Sequence, residues 1–291
     1  MELRQLEYFQ IVSQLSSITK AAAHLHITQP SVSVAIQKLE DELGVPLFNR
    51  GKKQLTLTAA GHIYLQRVDD ILSRIQDSVT EMNDYKLHPK NTIKVGVTPM
   101  IGTFLFPYIF TKFKQAYPHI QITIVEEGTL AVRTLLEQGK LDVGVIIISS
   151  ISPRLETALI TTGQILVCLP LNHPLSALET IPFSALRNQP FILFKEDTYS
   201  RQMILKECNK YQFIPNITFS SSQIETIVRL VEQGAGITFL FDAIIQKHAR
   251  ITCRPLSQPL FIHAGLAWNK GRYLSKAAKD FIEVVKDFSA I

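Results

Sequence analysis

The chain is poor in cysteine, has no glycine-rich phosphate loop and no apolar run long enough to cross a bilayer. Its 291 residues hold three cysteines, Cys168, Cys208 and Cys253, with no Cys-x-x-Cys pair. An odd, dispersed set argues against a disulfide framework or a zinc ribbon. Buried thiols acting as small hydrophobes are the expected use, and a redox switch is the alternative. The eight histidines lack metal-ligand spacing; His24 and His26, two apart, would diverge on a helix. No metal or cofactor is expected. G-x-G-x-x-G, G-K-[ST] and G-x-S-x-G are all absent, which removes the usual signatures of a nucleotide enzyme or a serine hydrolase. The N-terminus alternates, "MELRQLEYFQIV", where a secretory leader would have a basic start and an apolar run. With no stretch of bilayer length, a cytoplasmic protein without a membrane partner is expected.

What is present is ample apolar material, 46% of residues, in a chain long enough for two or more domains. The net charge of +5 hints at an anionic partner. Residues 1–88, however, hold nine Lys/Arg against ten Asp/Glu. If this part binds nucleic acid, its positive charge is local.

The stretch "ITQPSVSVAIQKLEDELGVPLFNR", Ile27 to Arg50, carries the sharpest signal. Thr28 is a good helix cap, and Pro30 is tolerated in the first turn. Val32, Ile36, Leu39 and Leu43 then share a buried face, with Ala35 beside it. Pro30, Val34, Gln37, Lys38 and Asp41 lie opposite, and Ser33 sits at the edge. The first two exposed turns are thus small or amide-bearing, so the helix can enter a groove deeply. Ser and Gln suit base edges, and Lys38 suits phosphate. Before it comes a helical pattern with small residues, Ile18, Ala21, Ala22 and Leu25, and a short turn, "HLHIT"; together they predict a helix-turn-helix. An earlier helical repeat is formed by Leu3, Leu6, Phe9 and Val12. After it, "VPLFNRGKKQLTLT" alternates like a hairpin wing tipped by Gly51, with Arg50, Lys52 and Lys53 exposed. The DNA-facing set is therefore expected to be Thr28, Gln29, Pro30, Ser31, Ser33, Val34, Gln37, Lys38, Arg50, Lys52 and Lys53.

From Ala59 to about Tyr85 the pattern is one long helix. Tyr64, Val68, Ile71, Ile75, Val79 and Met82 are spaced as a near-heptad seam, which predicts packing against a second copy. "KLHPKN" ends the helix at Pro89 as a hinge. From Thr92 the grammar becomes strand-helix-strand-helix-strand, implying parallel pairing with right-handed crossovers. A second run begins near Gln164. Two α/β lobes with a cleft between them follow.

The runs "LRQLEYFQIV", "SITKAAAHLHITQPSVSVAIQKLEDELGVPLFNR" and "LTLTAAG" resemble the N-terminal domain of LysR-type transcriptional regulators. The length, the long helix and "LLEQGKLDVGV" extend the resemblance over the whole chain. It implies a winged helix-turn-helix domain (1–58), a linker and dimerisation helix (59–88) and a two-lobed α/β effector domain similar to type 2 periplasmic binding proteins. One lobe would span 92–161 and 268–291, the other 162–267. It also implies a bacterial homodimer or homotetramer on double-stranded promoter DNA, acting with RNA polymerase and a small-molecule co-inducer. Val34 and Ala35 depart from it, because the family often carries polar residues there. Ligands of open α/β sheets sit beyond the strand ends, against helix N-termini. That rule and the resemblance place the co-inducer, expected to be a small anion, at Thr98, Pro99, Met100, Ile101, Gly128, Thr129 and Ser149 from one lobe. The other lobe would supply Tyr199, Arg201 and Ser222. Two alternatives remain at this stage, a cytosolic α/β enzyme with a helical accessory domain and a solute-binding protein. The enzyme's best acid pair, Glu126-Glu127, sits on adjacent strand residues that point to opposite faces.

Overall fold

A computed structural model describes residues 1–50, 55–86, 92–148, 152–245 and 250–286. It divides into two units, Met1–Asn83 and Asp84–Ile291.

The first unit is built from α1 (Leu3–Leu15), α2 (Ile18–His24), α3 (Gln29–Leu43), a hairpin of β1 (Phe48–Arg50) and β2 (Leu55–Leu57), and α4 (Ala59–Asp84). Local chemistry sets most of the boundaries. Ser16 ends α1 in the left-handed region, and the Ser17 side chain accepts from Lys20 N to start α2. His26 turns the chain with φ 56°, a conformation L-residues seldom adopt. Thr28 then caps α3, and Gly44 ends it with φ 70°. The core joins Leu6, Phe9 and Val12 of α1 to Ala21, Ala22, Val32, Ile36, Leu39, Leu47 and Phe48. Leu3, expected to join that stripe, is exposed instead. Phe9 stands at the centre, with its ring centroid 5.4 Å from those of both Phe48 and Tyr64. Gly61, in the first turn of α4, is required there: a Cβ would run into the Leu47 carbonyl and the Leu57 side chain. The main chain can therefore pass directly over the hairpin base.

The second unit begins with β3 (Thr92–Val97), α5 (Pro99–Phe104), α6 (Phe106–Ala116), β4 (Gln121–Glu126), α7 (Thr129–Glu137) and β5 (Val143–Ile147). Strand β3 pairs in parallel with both β4 and β5, as the alternation of strands and helices predicts. Next come β6 (Leu155–Pro170), β7 (Pro190–Phe194), α8 (Tyr199–Lys210), β8 (Asn216–Ser221), α9 (Ile224–Glu232), β9 (Thr238–Phe241), α10 (Asp242–Ile245), β10 (Ile251–Asn269) and α11 (Lys276–Lys286). The main sheet runs β4-β3-β5-β10-β6-β9, and β7 pairs in parallel with β8 alongside it.

Two features differ from the sequence reading. Strand β6 starts at Leu155, nine residues before the expected Gln164, and β10 likewise starts well ahead of "LFIHAGLAWNK". These two strands form one antiparallel ladder from Ile251–Pro170 to Asn269–Leu155, interrupted between Pro255 and Leu260 and between Ala264 and Gly265. The lobe boundaries at 161/162 and 267/268 therefore fall inside continuous strands. The lobes share their backbone at the ladder, so no loop separates them. The ladder also brings together two thiols that are far apart in sequence. Cys168 and Cys253 are register partners, and the Cys253 Sγ donates to the Cys168 Sγ at 2.7 Å.

Candidate DNA-binding face and effector cleft

On α3, Val32, Ile36 and Leu39 are buried and Leu43 is half-buried against the same core. The opposite side is open: Thr28, Gln29, Pro30, Ser31, Val34, Gln37 and Lys38 are exposed, and Ser33 is half-buried. Val34 leaves 53% of its surface in solvent, an uncompensated exposure for a branched apolar side chain. Three of the polar side chains, those of Thr28, Ser31 and Gln37, already have partners. The Thr28 hydroxyl accepts from Ser31 N at 3.4 Å and shares a bond with the Ser31 hydroxyl at 2.8 Å. Gln37 Nε2 donates to Asp41 Oδ1 at 2.7 Å. On the hairpin, Arg50 closes β1 opposite Leu55. Lys52 and Lys53 lie outside the described residues.

Sequence reasoning missed the group that sets the hairpin against α3. Glu40 is 7% exposed, and its Oε1 accepts from Leu47 N at 2.7 Å and Phe48 N at 3.1 Å. A buried carboxylate on two main-chain donors is a strong, directional tie. The signal was Glu40's place at the margin of the apolar face of α3, one residue after Leu39.

The six-residue seam of α4 splits in two. Val68 is fully buried in the first unit's own core, and Tyr64 packs beside it on Phe9. Val68 is thereby corrected: no second copy can reach it. Ile71, Ile75, Val79 and Met82 are exposed, by 39% for each isoleucine up to 59% for Met82.

In the second unit a cavity of about 560 Å³ opens where the strand ends meet the helix starts. Thr98, Pro99, Gly128 and Ser222 line it, as expected. The other expected residues that are described do not. Met100 and Ile101 are buried in the hydrophobic core, because α5 turns that face onto the sheet. Thr129 is buried too, and Tyr199 packs against the core. Arg201 is turned away from the cavity. Its guanidinium donates to the Phe194 carbonyl at 3.1 Å, the Ser220 hydroxyl at 2.7 Å and Glu196 at 3.4 Å. Ser149 lies outside the described residues.

The charge comes from residues outside the expected set, among them Glu126 and Glu127, which the sequence reading set on opposite faces and which both line this cavity. Glu126, Glu127 and Asp197 supply carboxylates, and Lys195 is the one cationic side chain among the described lining residues. Arg201, expected to hold the ligand, is thus replaced in the lining by Lys195. Asp197 spans the two lobes: its Oδ2 accepts from Gly128 N at 3.0 Å and its carbonyl from Leu130 N at 3.4 Å. Gly128 permits this approach, since a Cβ there would collide with the Asp197 carboxylate. Asp197 and Thr198 could have been found as the Asp-Thr pair just ahead of a helix, a cap signal.

Away from the cavity, burial pushes the Cys208 thiol up to about 12. Burial, reinforced by the contact with Cys253, raises Cys168 well above the ordinary thiol value.

Known proteins match both units. The family described as "Bacterial regulatory helix-turn-helix protein, lysR family" matches residues 3–62. "LysR substrate binding domain" matches residues 87–290. The uncharacterised HTH-type transcriptional regulator YwbI of Bacillus subtilis (strain 168) is 32% identical, covering 99% of this chain and 97% of its own. A full-length OxyR from Pseudomonas aeruginosa superposes with a TM-score of 0.70 at 27% identity, over 98% of this chain and 95% of that one. Full-length CbnR in complex with its target DNA shares the fold, with a TM-score of 0.65 at 20% identity over 100% of both chains. Each matched region falls within one of the two units that the structure separates, and no helix among the described residues is long and apolar enough to cross a membrane. The chain belongs to the LysR family and is a DNA-binding transcriptional regulator with an effector-binding domain.

Proposed function

We propose that the protein reads promoter DNA with the exposed face of α3 and the hairpin that follows it, as a cytoplasmic homo-oligomer. The observation that carries this is the side-chain chemistry of α3: its open face begins with Thr28, Gln29, Pro30 and Ser31, continues through Val34 and Gln37, and reaches Lys38. Short side chains allow close approach to base edges, and a terminal cation meets phosphate. Arg50, Lys52 and Lys53 are assigned to phosphate. Ile71, Ile75, Val79 and Met82 form the pairing stripe between two copies, since four exposed apolar side chains at near-heptad spacing on one helix are the pattern of a two-chain seam. A dimer sets two α3 helices one or more helical turns apart on DNA, and two dimers would make a tetramer.

The second unit acts as the sensor. A small co-inducer binds in the cavity lined by Thr98, Pro99, Gly128 and Ser222 and shifts the balance between arrangements of the DNA-binding pairs, which couples a metabolite to RNA polymerase at the promoter. The protein works by binding and performs no turnover. The test is a gel shift with the full chain on the DNA upstream of its own coding region, at two salt concentrations and with unrelated DNA as competitor. Specific retention that weakens with salt is expected. Equal retention of unrelated DNA would overturn the reading.

A further inference from the structure

We infer that the ligand of the cleft is a small zwitterion of the amino-acid class, carrying one ammonium and one carboxylate. This rests on the reading of the second unit as a sensor and names what it senses. Two opposed sets of charge meet in the same cavity, and only such a ligand satisfies both.

The first set favours a carboxylate. Helices α7, α8 and α9 all begin at the cavity, through Gly128, Thr198 and Gln223. Helix starts carry partial positive charge and unpaired N–H groups. None of the three has a side-chain bond capping its first turn. Thr198 is of a residue type that usually caps, yet its hydroxyl donates back to the Lys195 carbonyl at 2.7 Å. The start of α7 already holds an anion, the Asp197 carboxylate on Gly128 N. The starts of α8 and α9 remain for a ligand carboxylate, with Lys195 close by in the lining.

The second set favours a cation. Glu126 and Glu127 stand exposed at the end of β4 and line the same cavity, on the lobe opposite α8 and α9. A dicarboxylate would have to sit beside Glu126, Glu127 and Asp197. A simple amine would face two uncapped helix starts and an ammonium. A ligand with its carboxylate toward α8 and α9 and its ammonium toward Glu126 and Glu127 meets complementary charge at both ends.

An independent feature marks the place as built for a polar ligand. Thr98, which lines the cavity, is 3% exposed, and its Oγ1 is buried with no hydrogen-bond partner among the described residues. Buried hydroxyls are nearly always paired, so an unpaired one just behind the cavity lining is a place where a polar ligand that displaces its cover gains a bond. A hydroxyl can serve either end of a zwitterion. The cavity volume of about 560 Å³ lies within the range of small-molecule sites and is ample for one amino acid.

The experiment uses the full chain and matched probes. Thermal shift with each of the twenty standard amino acids identifies binders. Calorimetry then compares each binder with its own 2-oxo acid, which lacks the ammonium, and its decarboxylated amine, which lacks the carboxylate. At least one amino acid is expected to raise the melting temperature. Its two analogues should bind on the order of ten-fold more weakly or worse, the loss of one charge-assisted contact. Glu126→Gln combined with Glu127→Gln should erase the preference for the amino acid over its 2-oxo acid. If that variant fails to fold, the wild-type comparison with the analogues decides alone. A 2-oxo acid or dicarboxylate binding as tightly as the amino acid would overturn the inference and leave the sensor reading standing. An amine binding as tightly would overturn it in the other direction. Silence from all twenty amino acids also overturns it, and a parallel panel of organic acids then shows whether the cleft is a sensor at all.

Discussion

Replacing Glu40 by alanine should loosen the hairpin from α3 without touching any residue proposed to meet DNA. The carboxylate is 7% exposed and holds the main-chain N–H groups of Leu47 and Phe48, themselves 1% and 5% exposed. Alanine leaves both donors buried and unpaired. Each such donor costs about 1–3 kcal/mol, so the pair costs about 2–4 kcal/mol once local relaxation admits some water. Domains are stable by about 5–15 kcal/mol, and the loss is therefore a large share of what holds this unit together. Glu40→Gln keeps a carbonyl oxygen of the same shape and loses only charge assistance, about 1 kcal/mol. Amide hydrogen exchange read by mass spectrometry resolves the effect. Peptides covering Leu47 and Phe48 should exchange far faster in the alanine variant and slightly faster in the glutamine variant, while those of β3 to β5 stay unchanged. DNA affinity should fall in the same order. Alanine and glutamine variants with the same exchange at Leu47 and Phe48 as wild type would refute the reasoning, because the two bonds would then be contributing nothing.

Changing Ile71 and Ile75, each 39% exposed on the stripe proposed to pair two copies, together to Asp should give monomers in sedimentation and weaken operator binding; wild-type sedimentation would remove the stripe from the interface. Val34→Ser should cost on the order of 1 kcal/mol of DNA affinity if the side chain rests on a thymine methyl. Uracil at the facing thymine should abolish the difference, and equal losses on both DNAs would reject the contact. Iodoacetamide at pH 8 should modify the half-buried Cys253 first and reach Cys168 and Cys208 only on unfolding, because burial holds both thiols protonated, Cys208 up to about 12. Between the ordinary thiol value and that raised one, the unfolded chain ionises Cys208 and the folded one does not, so stability should fall as pH rises through that window. Prompt labelling of Cys208 in the folded protein would contradict its burial.

The opening unit was legible because its signals are local. Thr28 caps α3, Gly44 stops it, and the apolar spacing of Val32, Ile36 and Leu39 fixes which face is left outside. Those relations act over a few residues, so they could be read without the fold. The alternation of strands and helices after Thr92 likewise announced the parallel pairing of β3 with β4 and β5. The same local reading could not divide the stripe on α4. Periodicity places Val68 and Ile71 on one side of the helix, but only the position of Phe9 and Leu72 in the folded unit shows that Val68 is consumed by its own core. Arg201 followed the same pattern. Its place in the first turn of α8 was readable, while its direction depended on the Phe194 carbonyl and the Ser220 hydroxyl waiting beneath. The cleft itself belongs wholly to tertiary structure. Thr98, Gly128, Asp197 and Gln223 come from four segments far apart in the chain, gathered by a sheet order in which β10 lies between β5 and β6. The charge of a site is a sum over whatever the fold brings within a few ångströms, and no spacing along the chain encodes that sum.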